Sequence, residues 1–214
     1  DAHIYLRQDQ IQGEVSSLLK LVTKVYAIFG FSPKFYLSTM PEKAMGDKKV
    51  WQKAEEALEM ALRENEMKYE LKEKDGAFYG PKIDIEIKDS LGRSWQLATI
   101  QLDLVMLPEQ FGLSYIDEKG QKQKPTVIHR AVYGSFERFI GILLEHFEGA
   151  LPLWLSPVQA VVLPVSEKFE KYGKKVFEEL NRAGIRVEIS DANETLGKRI
   201  REAEMQKIPY VIVV

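Results

Sequence analysis

The alternation Lys82-Ile83-Asp84-Ile85-Glu86-Ile87-Lys88 constrains the fold more than any other stretch of this chain. A period of two puts three isoleucines on one face and the charged side chains on the other, as a half-buried strand requires. Asp89-Ser90-Leu91-Gly92 supplies turn residues, and 94–102 then reads as the returning partner strand. Around this hairpin the period changes. Ile11, Val15, Leu18, Leu19, Val22 and Tyr26 recur at helical spacing over 10–29, and Gly30 ends the run. A short strand is expected at 34–37 and a helix at 47–65 with Asp47 as its N-cap. A strand at 126–132 leads through Gly134 into a helix over 135–147 that buries Phe136, Phe139, Ile140 and Leu143. Hairpins flanked by helices, without βαβ repeats, predict an antiparallel sheet in an α+β domain.

Pro152, Trp154 and Pro157 interrupt this pattern, so two domains are expected, 1–154 and 155–214. Beyond the break, strands at 158–165, 184–190 and 210–214 alternate with helices at 167–182 and 195–206. That βαβαβ order predicts a small parallel α/β domain. The chain starts at Asp1 without Met and stops in mid-strand at Val214, which sets the expectation of a piece of something longer. Lys and Arg number 30 against 32 Asp and Glu, so a strongly basic wrapper of nucleic acid is excluded while a local basic patch is not. The absence of Cys excludes a disulfide framework, a zinc ribbon and a thiol nucleophile. With no signal peptide and no apolar run near the roughly 20 residues of a membrane span, a cytoplasmic protein is expected.

Few residues could carry chemistry. His146, late in a helix, reads as structural. His129, inside an apolar strand, fits a hydrogen-bonded core histidine or a metal ligand, and His3 alone is uninformative. Arg138 stands in the first turn of a helix capped by Ser135, where the macrodipole disfavours a cation. Two readings stay open for it: an anionic ligand at that helix end, or an ion pair with Asp84 or Glu86. The loop Gly76-Ala77-Phe78-Tyr79-Gly80-Pro81-Lys82 is either an ordinary turn or a mobile loop placing Tyr79 and Lys82 over a ligand. Gln96, Asp103, Asp84 and Glu86 put several polar groups into paired apolar strands, which suggests a polar pocket.

In order and spacing these segments resemble the threonyl-tRNA synthetase family of class II aminoacyl-tRNA synthetases. The resemblance runs through Asp1-Ala2-His3-Ile4, Leu37-Ser38-Thr39, the loop from Gly76 to Lys82, Trp95-Gln96-Leu97-Ala98-Thr99-Ile100-Gln101 and Val127-Ile128-His129-Arg130. Gly134-Ser135-Phe136-Glu137-Arg138-Phe139 matches motif 3 of the class, and Asn193-Glu194 with Lys198-Arg199-Ile200-Arg201 matches an anticodon-binding domain. The resemblance implies a threonine–tRNA ligase that makes threonyl-adenylate from L-threonine and ATP and passes it to tRNA(Thr). It implies zinc on His3 and His129, with Asp1, Tyr79 and Ser135 on threonine. Gln96, Gln101, Ser135 and Arg138 would line the ATP pocket, Arg138 and Lys82 would be catalytic, and Mg2+ would accompany ATP. Asn193, Arg201 and Lys207 would face the anticodon. A homodimer is implied for the intact enzyme, and no membrane.

Departures from the family pattern are as specific. The third zinc ligand is a Cys in this family, and this chain has none. Motif 1, most of motif 2 with its arginine, and the editing domain have no counterpart in the sequence. The alternative implied is a non-catalytic tRNA-binding or regulatory fragment of the same lineage.

Overall fold

The structure is a computed structural model describing residues 1–214. The chain forms two compact units, Asp1–Ile140 and Gly141–Val214.

The first unit is built on a six-stranded sheet. Its strands are β1 (Ala2–Leu6), β2 (Lys34–Ser38), β3 (Tyr69–Lys72), β4 (Lys82–Lys88), β5 (Ser94–Asp103) and β8 (Thr126–Ala131), in the order β1-β8-β5-β4-β2-β3. A small hairpin of β6 (Tyr115–Ile116) and β7 (Lys122–Gln123) stands apart. All pairs of the large sheet are antiparallel except β2–β3. That parallel edge departs from the purely antiparallel expectation because the connection from β2 to β3 contains a helix, the crossover that parallel neighbours require. This helix, α2 (Lys48–Glu64), packs with α1 (Ile11–Ile28) on one face of the sheet. Ile83, Ile85 and Ile87 are fully buried, as are Leu19 of α1 and Trp51, Leu58 and Leu62 of α2. Asp47 caps α2 by accepting from the Lys49 amide at 2.6 Å. Tyr26, buried in α1, donates its hydroxyl to the Val132 carbonyl at 2.7 Å and so anchors the chain entering α4 (Phe136–His146). Burial pushes the ionisation of that phenol far up.

The buried face of α4 differs from the expected one. Phe139 and Leu143 are buried, but Phe136 is 78% and Ile140 52% exposed. The buried stripe instead takes in Ile142, an i, i+3, i+4 set with Phe139 and Leu143.

Asp89 organises the β4–β5 turn. Its carboxylate accepts from the amides of Leu91 and Arg93, the Arg93 guanidinium and the Trp95 indole, all within 3.0 Å. Desolvation pulls this carboxyl up, but the Trp95 and Arg93 bonds outweigh it and bring it down from 3.8 to about 2. A depressed carboxylate contributes stability that is complete above the unfolded value and disappears as pH falls through the folded one. The urea midpoint gap between the wild type and Asp89→Asn should therefore be constant above 3.8 and close towards about pH 2. A gap that persists unchanged below that pH would contradict the assignment.

In the second unit β9 (Ala160–Leu163), β10 (Val187–Ile189) and β11 (Tyr210–Val213) form a parallel sheet in the order β10-β9-β11. Helices α5 (Glu170–Arg182) and α6 (Leu196–Met205) make the crossovers. Val161, Leu163 and Ala203 form its core, with Leu196, Ile200, Ile208 and Val211 packed on it. The irregular stretch around Pro152 and Pro157 is held by Arg186, which donates to the carbonyls of Trp154 and Ser156. No helix of the chain is long and apolar enough to cross a membrane.

Candidate active site

The face of the large sheet away from α1 and α2 carries a single cross-strand row. His3 pairs with His129, His129 with Gln101, Gln101 with Lys82, Lys82 with Ser38, and Ser38 with Lys72. Four residues singled out from the sequence, His3, His129, Gln101 and Lys82, thus lie side by side although they come from four strands. Side chains directly opposite in adjacent strands are within mutual reach. The His3 and His129 rings meet edge-on at 4.6 Å between centroids.

Gln96 joins this face through an irregularity. It lies five positions from Gln101, an odd spacing that would put the two on opposite sides of a regular strand. The register shifts between Ile85 and Glu86: Ala98 pairs with Ile85 and Gln96 with Glu86, so Leu97 is the extra residue. This bulge turns Gln96 onto the polar face, a re-aiming for which β-bulges are suited.

Residues 76–81 form a tight turn laid against the sheet. Gly80 donates to the Ala77 carbonyl at 3.1 Å, Met45 donates to that of Phe78 at 2.7 Å, and Gly76 donates to that of Thr39 at 2.7 Å. A Cβ on Gly80 would stand 1.7 Å from the Leu102 carbonyl oxygen, so only glycine allows this approach. The turn places Tyr79 over the row, where its hydroxyl bonds Gln101 Oε1 at 2.6 Å and its ring lies 5.4 Å from that of His129. Burial, with the nearby Asp103 charge, raises the Tyr79 phenol above its ordinary value. Lys82 is not in the loop but opens β4, its ammonium 2.8 Å from Asp84 and 3.8 Å from Asp75.

Asp103, fully buried, ends β5 and caps α3 (Met106–Gln110), accepting from the amides of Val105, Met106 and Leu107. Its second contact is to His129 Nε2 at 3.1 Å, which leaves Nδ1 of that ring for another partner. Charged or coordinating histidines are commonly oriented by such a carboxylate. No group of three or more His, Cys, Asp or Glu side chains is placed to hold a metal ion. The donor set therefore fits zinc in part: two adjacent imidazoles, where such a site takes at least three protein ligands.

Arg138 stands at the start of α4. Ser135 caps α4 by accepting from the Arg138 amide at 3.2 Å. The guanidinium pairs with neither Asp84 nor Glu86; Nη1 donates to the Gln96 carbonyl at 3.2 Å and the group lies 5.5 Å from the Trp95 ring centre. Its charge remains exposed at a helix start. The stacking role of Trp95 had no signal in the periodicity. Asp1, just before β1, lines a cavity of about 260 Å3 with Arg130, Tyr133 and Phe136.

In the second unit Asn193, Arg201 and Lys207 are all exposed: in the turn before α6, on α6 and beyond its end. Thr195 caps that helix by accepting from the Lys198 amide. Arg199, buried between them, donates to the carbonyls of Pro164 and Glu194 and serves the fold.

Residues 1–147 match the tRNA synthetase class II core domain (G, H, P, S and T), and residues 159–214 match an anticodon binding domain. The chain is 51% identical over 214 residues to a threonine–tRNA ligase of Carboxydothermus hydrogenoformans and 53% identical over 213 residues to one of Thermotoga neapolitana. Each match takes in 100% of this chain but only 34% and 33% of those proteins, so the chain spans about a third of their length. Among solved structures, the RNA binding domain of threonyl-tRNA synthetase from Cryptosporidium parvum Iowa II superposes with a TM-score of 0.92 at 43% identity. That superposition covers 99% of this chain and 53% of the other.

Proposed function

From the premise that the chain belongs to the class II tRNA synthetase family, we propose that it is the part of a threonine–tRNA ligase that holds threonine and ATP on one face of its sheet. The observation that carries this is the row His3–His129–Gln101–Lys82 beneath Tyr79, with Arg138 at its border.

Tyr79, Ser135 and Asp1 hold the amino acid, Tyr79 through the hydroxyl already oriented by Gln101. Gln96 and Gln101 line the adenylate pocket. Arg138 meets the phosphates, where its charge offsets that of the polyphosphate, and Lys82 supplies a second cation. A carboxylate oxygen of threonine attacks the α-phosphorus; the new P–O bond forms as the bond to the pyrophosphate oxygen breaks. A ribose hydroxyl of the tRNA then attacks the threonyl carbonyl, losing its proton as AMP leaves. His3 and His129 are proposed zinc ligands completed by a cysteine outside these residues, and zinc would supply a Lewis-acid contact for the threonine hydroxyl. Mg2+ would accompany ATP. Residues 1–154 are assigned to catalysis and 155–214 to the anticodon through Asn193, Arg201 and Lys207, in a cytoplasmic homodimer.

Threonine-dependent ATP–pyrophosphate exchange tests this, run on a full-length ligase carrying residues 1–214 and on the 214-residue chain alone. A site built to bind a hydroxyl rejects the isostere lacking it by on the order of 10⁴, so exchange with valine should be lower by that factor. Arg138→Ala should lower threonine exchange by roughly 100-fold. Equal exchange with valine would overturn the threonine assignment. Binding of tRNA without exchange from either protein would favour a non-catalytic tRNA-binding fragment.

A further inference from the structure

Below the row lies a group that none of these roles uses. Asp84 is 1% exposed, yet each of its carboxylate oxygens receives two donors. Oδ2 accepts from the Ser38 hydroxyl at 2.9 Å and the Lys82 ammonium at 2.8 Å. Oδ1 accepts from Gln96 Nε2 at 2.6 Å and, more loosely, from the Thr99 hydroxyl at 3.4 Å. An ionised carboxylate accepts only, so the amide facing it must present nitrogen. Gln96 is itself exposed, and its backbone carbonyl takes the Arg138 guanidinium.

We propose that Asp84 is a positioning residue for the nucleotide pocket. By taking the Gln96 nitrogen it fixes the side-chain amide with its oxygen outward, so that Gln96 offers an acceptor to a hydroxyl or amino group of the nucleotide. Through the same residue it steadies the carbonyl on which Arg138 rests, and it holds Lys82 at the pocket floor. The proposal rests on the reading of this face as an adenylate site. The bulge at Leu97 gives it its geometry: without it, Gln96 would leave the polar face and Asp84 would lose its shortest bond.

The test uses the 214-residue chain, with NMR of the Gln96 side-chain amide and calorimetric titration of AMP. In the wild type the Gln96 NH2 protons are expected as a dispersed pair protected from exchange. In Asp84→Asn, whose amide turns a donor towards those donors, they should collapse to the free-amide position while the backbone spectrum stays folded. AMP affinity should fall roughly tenfold, the worth of a hydrogen bond or so. Gln96→Ala should then add nothing to Asp84→Asn, because both remove one contact, whereas a merely structural role predicts that the losses add. Unchanged Gln96 signals in a folded Asp84→Asn, or additive losses, overturn the proposal. Should Asp84→Asn fail to fold, the pair Asp84→Asn with Lys82→Met removes both charges, leaves no buried ion unpaired, and reads the same Gln96 signals. A wild type that binds no AMP would count against the adenylate site itself, and the Gln96 amide would still decide whether Asp84 orients it.

Discussion

Gly80→Ala is expected to cost about 3 kcal/mol of stability, at the upper end of what overpacking usually costs, and to lift Tyr79 off Gln101. The added methyl group would meet the Leu102 oxygen at 1.7 Å and its carbonyl carbon at 2.8 Å. Both are backbone atoms of the central strand β5, so no rotamer change relieves the clash and the turn itself must move. Moving it breaks the Leu102 amide's bond to the Pro81 carbonyl at 3.0 Å and the Tyr79–Gln101 bond at 2.6 Å. Urea denaturation reads the first effect, and the second appears as a fall in threonine exchange. Gly13 is the control, since nothing lies within 4 Å of a Cβ there and it sits inside α1. Gly13→Ala should stabilise by about 0.5–1 kcal/mol through helix propensity. Equal effects of the two substitutions would show that close approach at Gly80 does not matter.

Asp103→Ala should have a comparable effect, on the order of 3 kcal/mol, from lost capping together with buried donors left without an acceptor. Three amides at the start of α3 and the His129 ring all depend on this one carboxylate. Asp103→Asn keeps one acceptor oxygen and should recover part of the loss. The His129 ring signals in an NMR spectrum should shift in both variants, more in the alanine. An Asp103→Ala chain as stable as the wild type, with His129 unmoved, would remove Asp103 from the account.

How much of this could be read beforehand differs from element to element. The strand 82–88 was legible residue for residue because three isoleucines and four charged residues leave no other period. The first long helix was legible from its apolar spacing, the second from its Asp47 cap, and the βαβαβ order of the second unit from its alternation. β1 was not: Ala2-His3-Ile4-Tyr5-Leu6 is a short edge strand at the chain start with no turn signal before it. The two-residue strands β6 and β7 carry no period at all. The candidate site was legible as residue types, largely through the family resemblance, but not as an arrangement. Sequence does not give register, and it is register that aligns His3, His129, Gln101 and Lys82. Nor does it mark the bulge at Leu97 that brings Gln96 onto the same face as Gln101. The exposed Phe136 and Ile140 show the opposite error, in which an apolar residue at helical spacing was assigned to the core by type.

The polar face of the sheet, and not its helix-covered side, is the surface expected to receive threonine and nucleotide. Amide chemical-shift mapping of the 214-residue chain during titration with AMP and threonine decides this, because it registers weak binding as well as tight. The shifted amides should cluster at His3, Tyr79, Lys82, Gln96, Gln101, His129 and Arg138. Shifts confined to α1 and α2, with those seven residues unmoved, would contradict it.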